Sequence, residues 1–270
     1  MTRILAIANQ KGGVGKTTTS VNLAASLAYY KNRVLLVDLD PQGNATMGSG
    51  INKQLCDYTT YHFLTNRKSI ERVVSKSAHC NYHVLPSNGD LVAAEVELMQ
   101  MPEREQRLGK CLHEVRENYD YIIIDCPPSL NMLTVNALVA GDGVLIPMQC
   151  EYFALEGLSA LNHTIRKISR DVNPRLKIEG ILRTMYDPRS SLTNAVSAQL
   201  RKYFDDKLYR VSIPRNVRLA EAPSHGKPAL AYDRNSKGAT AYLALAAEIL
   251  TKNRKTDVYR KNMESDQYGH

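Results

Sequence analysis

Asn9-Gln10-Lys11-Gly12-Gly13-Val14-Gly15-Lys16-Thr17-Thr18-Thr19 is the stretch that decides the fold. It follows an apolar run, Ile4 to Ala8, and precedes a segment in which Val21, Leu23, Ala24, Leu27 and Ala28 recur at helical spacing. The stretch is therefore a strand-to-helix turn. Glycines 12, 13 and 15 let the backbone turn tightly and point successive N–H groups at phosphate oxygens, and the new helix adds partial positive charge at its N-terminus. In such a loop Lys16 reaches the β- and γ-phosphates of a nucleotide and the Thr17 hydroxyl ligates Mg²⁺. The ordinary template has glycine at position 10. Here Gln10 is followed by a second lysine, Lys11.

Two acidic motifs follow at the ends of later apolar runs. The first is Val34-Leu-Leu-Val-Asp38-Leu-Asp40-Pro41-Gln42-Gly43-Asn44, the second Tyr121-Ile-Ile-Ile-Asp125-Cys126-Pro127-Pro128. Both put carboxylates at the carboxyl edge of buried parallel strands, where open α/β sheets gather their ligand chemistry. Asp125 takes the place of an acid that holds the water shell of the magnesium. Asp38 and Asp40 are two residues apart, and one of them positions the water that attacks the γ-phosphate, because phosphoryl transfer depends on positioning and electrostatics.

Apolar runs and helical periods alternate along the chain. Strands are predicted at 3–8, 33–38, 82–86, 120–125, 143–148, 178–185 and 209–213, and helices at 16–30, 103–118, 130–140, 154–170, 191–204 and 238–251. This pattern reads as a doubly wound α/β fold, a mainly parallel sheet with helices on both faces. Residues 45–80 fit the alternation least and are expected to form short helices and loops. Residues 1–251 make one domain, and the polar, basic segment 252–270 is expected to be a frayed or disordered tail.

Of the 270 residues, 43% are hydrophobic, enough for a substantial core. No apolar stretch approaches the roughly 18 residues of a membrane span, and residues 2–8 lack the pattern of a signal peptide. Cysteines 56, 80, 111, 126 and 150 have no Cys-x-x-Cys spacing and read as reduced thiols, so a cytoplasmic protein is expected. The seven histidines form no metal-ligand pattern. Net charge is +8 and unevenly placed: residues 1–150 hold 14 basic and 14 acidic residues, residues 151–270 hold 21 and 13. A basic second half beside a balanced nucleotide-binding half points to a polyanionic partner.

Four stretches together, Lys11-Gly-Gly-Val-Gly-Lys16-Thr17-Thr18, Asp38-Leu-Asp40-Pro-Gln-Gly-Asn44, Asp125-Cys-Pro-Pro128 and Pro214-Arg-Asn216-Val-Arg218-Leu-Ala-Glu-Ala-Pro-Ser-His-Gly226, closely resemble the ParA/Soj chromosome- and plasmid-partitioning ATPases. These are P-loop NTPases with a deviant Walker A motif, and the resemblance spans about residues 2–250. It implies ATP and Mg²⁺ as cofactors, with Lys11, Gly12, Gly13, Val14, Gly15, Lys16, Thr17 and Thr18 around the phosphates, Pro214 and Asn216 in the adenine pocket, and Thr17 and, through water, Asp125 at the metal. Lys11, Lys16 and Asp40 are the implied catalytic residues. Lys11 and Gly12 are implied at the interface of an ATP-bound homodimer, Lys11 reaching the partner's phosphates. Arg189 and Arg218 match positions that touch DNA without reading its sequence. The resemblance further implies slow hydrolysis, a ParB-type centromere-binding protein as activator, association with the nucleoid and no membrane partner. The rivals are a membrane-cycling MinD-type ATPase, an iron-cluster carrier and a non-hydrolysing ATP-locked scaffold. The first needs an amphipathic C-terminal helix and the second paired cluster cysteines, and neither signal is present.

Overall fold

A computed structural model describes residues 2–267, with side chains through Arg254. Among these residues the strands are β1 (Arg3–Ile7), β2 (Val34–Asp38), β3 (Ser75–Lys76), β4 (His83–Leu85), β5 (Tyr121–Asp125), β6 (Gly143–Gln149) and β7 (Lys177–Thr184). The helices are α1 (Lys16–Tyr29), α2 (Asn44–Gly48), α3 (Thr60–Leu64), α4 (Ile70–Val73), α5 (Leu91–Leu98), α6 (Arg107–His113), α7 (Met132–Ala140), α8 (Ala154–Asp171), α9 (Ser191–Phe204), α10 (Val217–Glu221), α11 (Ala229–Tyr232) and α12 (Lys237–Gln267). The sheet order is β3-β4-β2-β5-β1-β6-β7, parallel except for the two-residue edge strand β3.

The central strands read as unbroken apolar runs because both faces of the sheet are covered. Side chains alternate between the faces. Leu5, Ile7, Leu36, Ile123, Leu145 and Leu182 pack in one core with α1 and α12. Ile4, Ala6, Leu35, Val37, Ile122 and Ile124 pack in the other with α5 to α8. With β1 central, the loops after β1, β2, β5, β6 and β7 all open at one edge, and the motifs of the sequence lie there.

Four segments differ from the sequence expectation. The helix expected at 103–118 is reduced to α6 between two short 3-10 turns. The Asn136 amide explains the interruption: its Oδ1 accepts from Leu108 N at 3.0 Å and its Nδ2 donates to Arg104 O at 2.8 Å, groups that a continuous helix would have joined to each other. Helix α5 was not expected, although Leu91, Ala94 and Leu98 mark its buried face at helical spacing. The last helix continues to Gln267, well beyond residue 251.

Residues 209–213 do not form a strand. They run beside β7 between two isolated bridges, Leu208 with Ile181 and Pro214 with Tyr186, and reach β7 through Tyr209 N to Ile181 O at 3.0 Å and Ile213 N to Arg183 O at 2.8 Å. Between these points side chains take the remaining backbone groups. The buried Arg183 guanidinium donates to Tyr209 O at 3.0 Å and Arg210 O at 3.1 Å, and the Glu248 carboxylate accepts from Arg210 N at 3.0 Å and Val211 N at 3.1 Å. The Tyr209 ring closes the gap by lying directly on Gly180, where an added Cβ would stand 2.3 Å from Cε2. Gly180→Ala should therefore force ring and strand apart, at a cost of about 1–3 kcal/mol. In thermal unfolding the melting temperature should fall by roughly 2–10 °C. An unchanged value would mean that the ring yields freely.

Candidate nucleotide and metal site

The loop between β1 and α1 is fixed by its backbone and by two neighbouring strands. Gly13 and Gly15 have φ of +73° and +86°, left-handed conformations that only glycine adopts without strain. Asn9 Nδ2 donates to Pro147 O at 2.8 Å, Gln149 Nε2 to Gly13 O at 3.0 Å, and Thr184 Oγ1 to Val14 O at 2.8 Å. Gln149 and Thr184 were not singled out from the sequence. Their only signal was a position at the carboxyl end of β6 and of β7.

The two lysines of the loop diverge. Lys16 is buried, and its Nζ turns back to donate to Lys11 O at 3.0 Å. Burial lowers its pKa, while the nearby Asp125 and Asp40 carboxylates act in the opposite direction. Lys11 leaves the loop on the outer side and pairs with Glu151, both side chains about half exposed at 49% and 48%. One cation thus lies inside the loop and one stands outside it.

Asp125 is fully buried at the end of β5 and accepts from two α1 hydroxyls, Thr17 Oγ1 at 2.8 Å and Ser20 Oγ at 2.7 Å. It lies directly opposite Asp38 in the β2·β5 register. Desolvation, with repulsion from Asp38, pushes the Asp125 carboxyl up to about 7, and desolvation likewise raises Asp38 to about 6. Asp38 serves the backbone: its Oδ2 accepts from Thr46 N at 2.8 Å and Thr46 Oγ1 at 2.7 Å, and its Oδ1 from Asp40 N at 3.1 Å. These bonds fasten the loop that carries Asp40. Of the two aspartates left open by spacing, Asp38 is occupied in holding α2, whereas Asp40 is only partly buried. Thr17 and Asp125 offer oxygen donors suited to a hard divalent cation beside a phosphate.

Beyond α1, a cavity of about 290 Å³ is lined by Gly15, Thr18, Met185, Pro214, Asn216 and Tyr242 among others. Asn216 Oδ1 is buried without a protein partner, an acceptor open to a ligand N–H. The cavity has room for a planar base beside the phosphate loop, and Pro214 and Asn216 both line it. Arg189 and Arg218 lie outside, four residues after Met185 and two after Asn216. Arg189 pairs with Asp187 through Nε at 3.0 Å and Nη2 at 2.9 Å, and Arg218 with Glu221 at 2.8 Å and Asp233 at 3.4 Å. Each is a surface arginine already engaged by acids of its own neighbourhood.

Among the described residues no other group of histidine, cysteine and acidic side chains could hold a metal, the five cysteines are free, and no helix is long and apolar enough to cross a membrane. The buried acid gives the site a pH signature. A carboxyl whose folded pKa is raised favours the fold at acid pH, and that contribution is lost as pH rises from about 4 through about 7. For nucleotide-free protein, Asp125→Asn should therefore gain melting temperature relative to wild type between pH 5 and pH 8, by on the order of 5 °C. A difference that stays flat over this range would show that Asp125 ionises without penalty.

The model of the AAA domain family matches residues 2–178. The chain is 54% identical over 249 residues to the sporulation initiation inhibitor protein Soj of Bacillus subtilis, covering 92% of this chain and 98% of the relative. It is 52% identical to the chromosome partitioning protein ParA of Myxococcus xanthus, covering 93% and 88%. Among solved structures, cobyrinic acid a,c-diamide synthase of Mycobacterium smegmatis with bound ATP analog and magnesium superposes with a TM-score of 0.83 at 36% identity, over 93% of this chain and 94% of that one. With this loop, these strand-end acids and these relatives, the chain belongs to the Soj/ParA family of chromosome-partitioning ATPases.

Proposed function

We propose that this chain is an ATP-gated dimer that binds DNA without sequence preference and is released from it by ATP hydrolysis. The observation that carries the proposal is the divergence of the two loop lysines. Lys16 lies within the loop that would hold its own nucleotide, and Lys11 projects away from it toward Glu151. A cation so placed can serve phosphates presented by a second chain.

ATP with Mg²⁺ suits the site on three grounds: the glycine-rich loop, the Thr17–Asp125 oxygen pair and the unpartnered Asn216 acceptor in the base-sized cavity. Magnesium, when bound, neutralises phosphate charge. The protein groups do the rest. Loop N–H groups and Lys16 hold the phosphates, and Asp125 keeps Thr17 aimed at the metal, acting on the metal through water. Asp40 orients the attacking water from a loop fastened by Asp38 and by the 2.8 Å bond from Ser87 Oγ to Asp40 O. Lys11 leaves Glu151 to neutralise the partner's phosphate, so nucleotide and dimer stabilise each other. Dimerisation joins the basic second halves of two chains into one surface, on which Arg189 and Arg218 contact DNA phosphates. Hydrolysis is slow until a ParB-type protein stimulates it, and the protein works in the cytoplasm on the nucleoid.

If each chain neutralises about three phosphates, log K against log[salt] should have a slope of about −2.7 for a monomer and about −5.4 for a dimer. Binding to an arbitrary linear duplex should require ATP–Mg²⁺, show the steeper slope and disappear in Lys16→Ala. Binding that ignores nucleotide would overturn the gate. Arg218→Glu should weaken DNA binding while leaving ATP-driven dimerisation intact, and unchanged DNA affinity would remove Arg218 from the surface. Asp40→Ala should keep the dimer and slow phosphate release by about 100-fold or more, as loss of a group that orients a reactant does. A normal rate in that variant would reject the role of Asp40.

A further inference from the structure

We propose that Tyr152 and Phe153 form the apolar clasp of the ATP-bound dimer, each pair packing against the second copy of this chain. The inference rests on the dimer proposed above and assigns it residues outside the motifs.

The two side chains follow β6 and immediately precede α8, at the edge of the sheet where the phosphate loop opens. They are 76% and 69% exposed, among the most exposed large apolar side chains in the described part of the molecule. Their rings meet edge to face, with centroids 5.0 Å apart, and so form one contiguous patch. Single exposed apolar residues are ordinary, but a contiguous patch beside a ligand site marks an interaction surface. Neither ring has a fold role, since the α8 residues that face the core are Leu158, Leu161, Ile165 and Ile168.

The neighbouring residue says what covers the patch. Glu151 holds the Lys11 ammonium, so residues 151–153 lie at the rim from which Lys11 would cross to another chain. Any surface that brings Lys11 to a partner's phosphate therefore brings Tyr152 and Phe153 to that partner as well. In a two-fold dimer the same patch enters from both sides. Each aromatic side chain can bury about 150–250 Å². Four of them would supply roughly half of the 1,200–2,000 Å² that stable interfaces bury. The charged pair beside them offers little, because exposed ion pairs contribute only about 0–1 kcal/mol. The rings would thus supply adhesion, and Lys11 the dependence on nucleotide.

The test compares full-length wild type, Tyr152→Ser/Phe153→Ser and Tyr203→Ser by sedimentation with Mg²⁺ and a non-hydrolysable ATP analogue. Binding of the same analogue is measured in parallel at concentrations too dilute for dimers. Tyr203 is a 66% exposed aromatic on α9 and controls for the loss of surface apolarity alone. The double variant should bind the analogue as wild type does and dimerise at least tenfold more weakly, with Tyr203→Ser unaffected. A wild-type dimer matched in affinity by the double variant would overturn the clasp and leave the gated dimer standing. Equal weakening by Tyr203→Ser would overturn it too. A wild type that stays monomeric with the analogue would remove the dimer itself, and the clasp with it.

Discussion

The fully buried Asp125 carboxylate is the constraint on which the site depends. Its two bonds to Thr17 and Ser20 tie the start of α1 to the end of β5, and so place the end of the loop that leads into α1. Burying an acid costs free energy unless it is hydrogen-bonded, and here both oxygens have hydroxyl donors from one helix. A second buried acid faces it across the β2·β5 register and performs the same service for the next loop. Two strand ends that repel each other electrostatically are thereby held in register by the helices they anchor. A divalent cation held by Thr17 and Asp125 would offset that repulsion.

Much of this was legible in the sequence. The strand-loop-helix context of residues 4–28 fixed the fold class, because hydrophobic period and glycine spacing are local properties. The acids at 38, 40 and 125 were legible for the same reason. The roles of Asp38 and Asp40 were not separable by spacing, since what distinguishes them is the hydroxyl of Thr46, brought in by a turn. Gln149 and Thr184 were invisible because their partners are backbone carbonyls more than 100 residues away. The segment 209–213 misled for a related reason. Its apolar pattern is that of a strand, but a buried arginine and a distant glutamate claim its hydrogen bonds. The broken helix near residue 104 has the same origin in a single asparagine. Tertiary side-chain bonds overrode local propensity in each case.

Surface function was the least legible. The basic excess of the second half points to a polyanion, yet Arg189 and Arg218 are each engaged by nearby acids. Contact with phosphate would require an exchange of partners and not the simple filling of a free site. This exchange reduces the gain per contact. It also favours a dimer that multiplies weak contacts over a monomer with a few strong ones.

The pinning of residues 209–213 has a consequence for how the protein is made. This segment lies along the outer edge of β7 and leads directly into Pro214 and Asn216, and it is held there by Glu248 of α12. Arg183 holds this segment from β7 itself, whereas Glu248 lies 38 residues beyond Arg210, so the second half of the hold forms only once α12 has been made. The same helix brings Tyr242 to the wall of the cavity. A chain interrupted before α12 would therefore lose the Glu248 hold on this segment and the Tyr242 side of the cavity together.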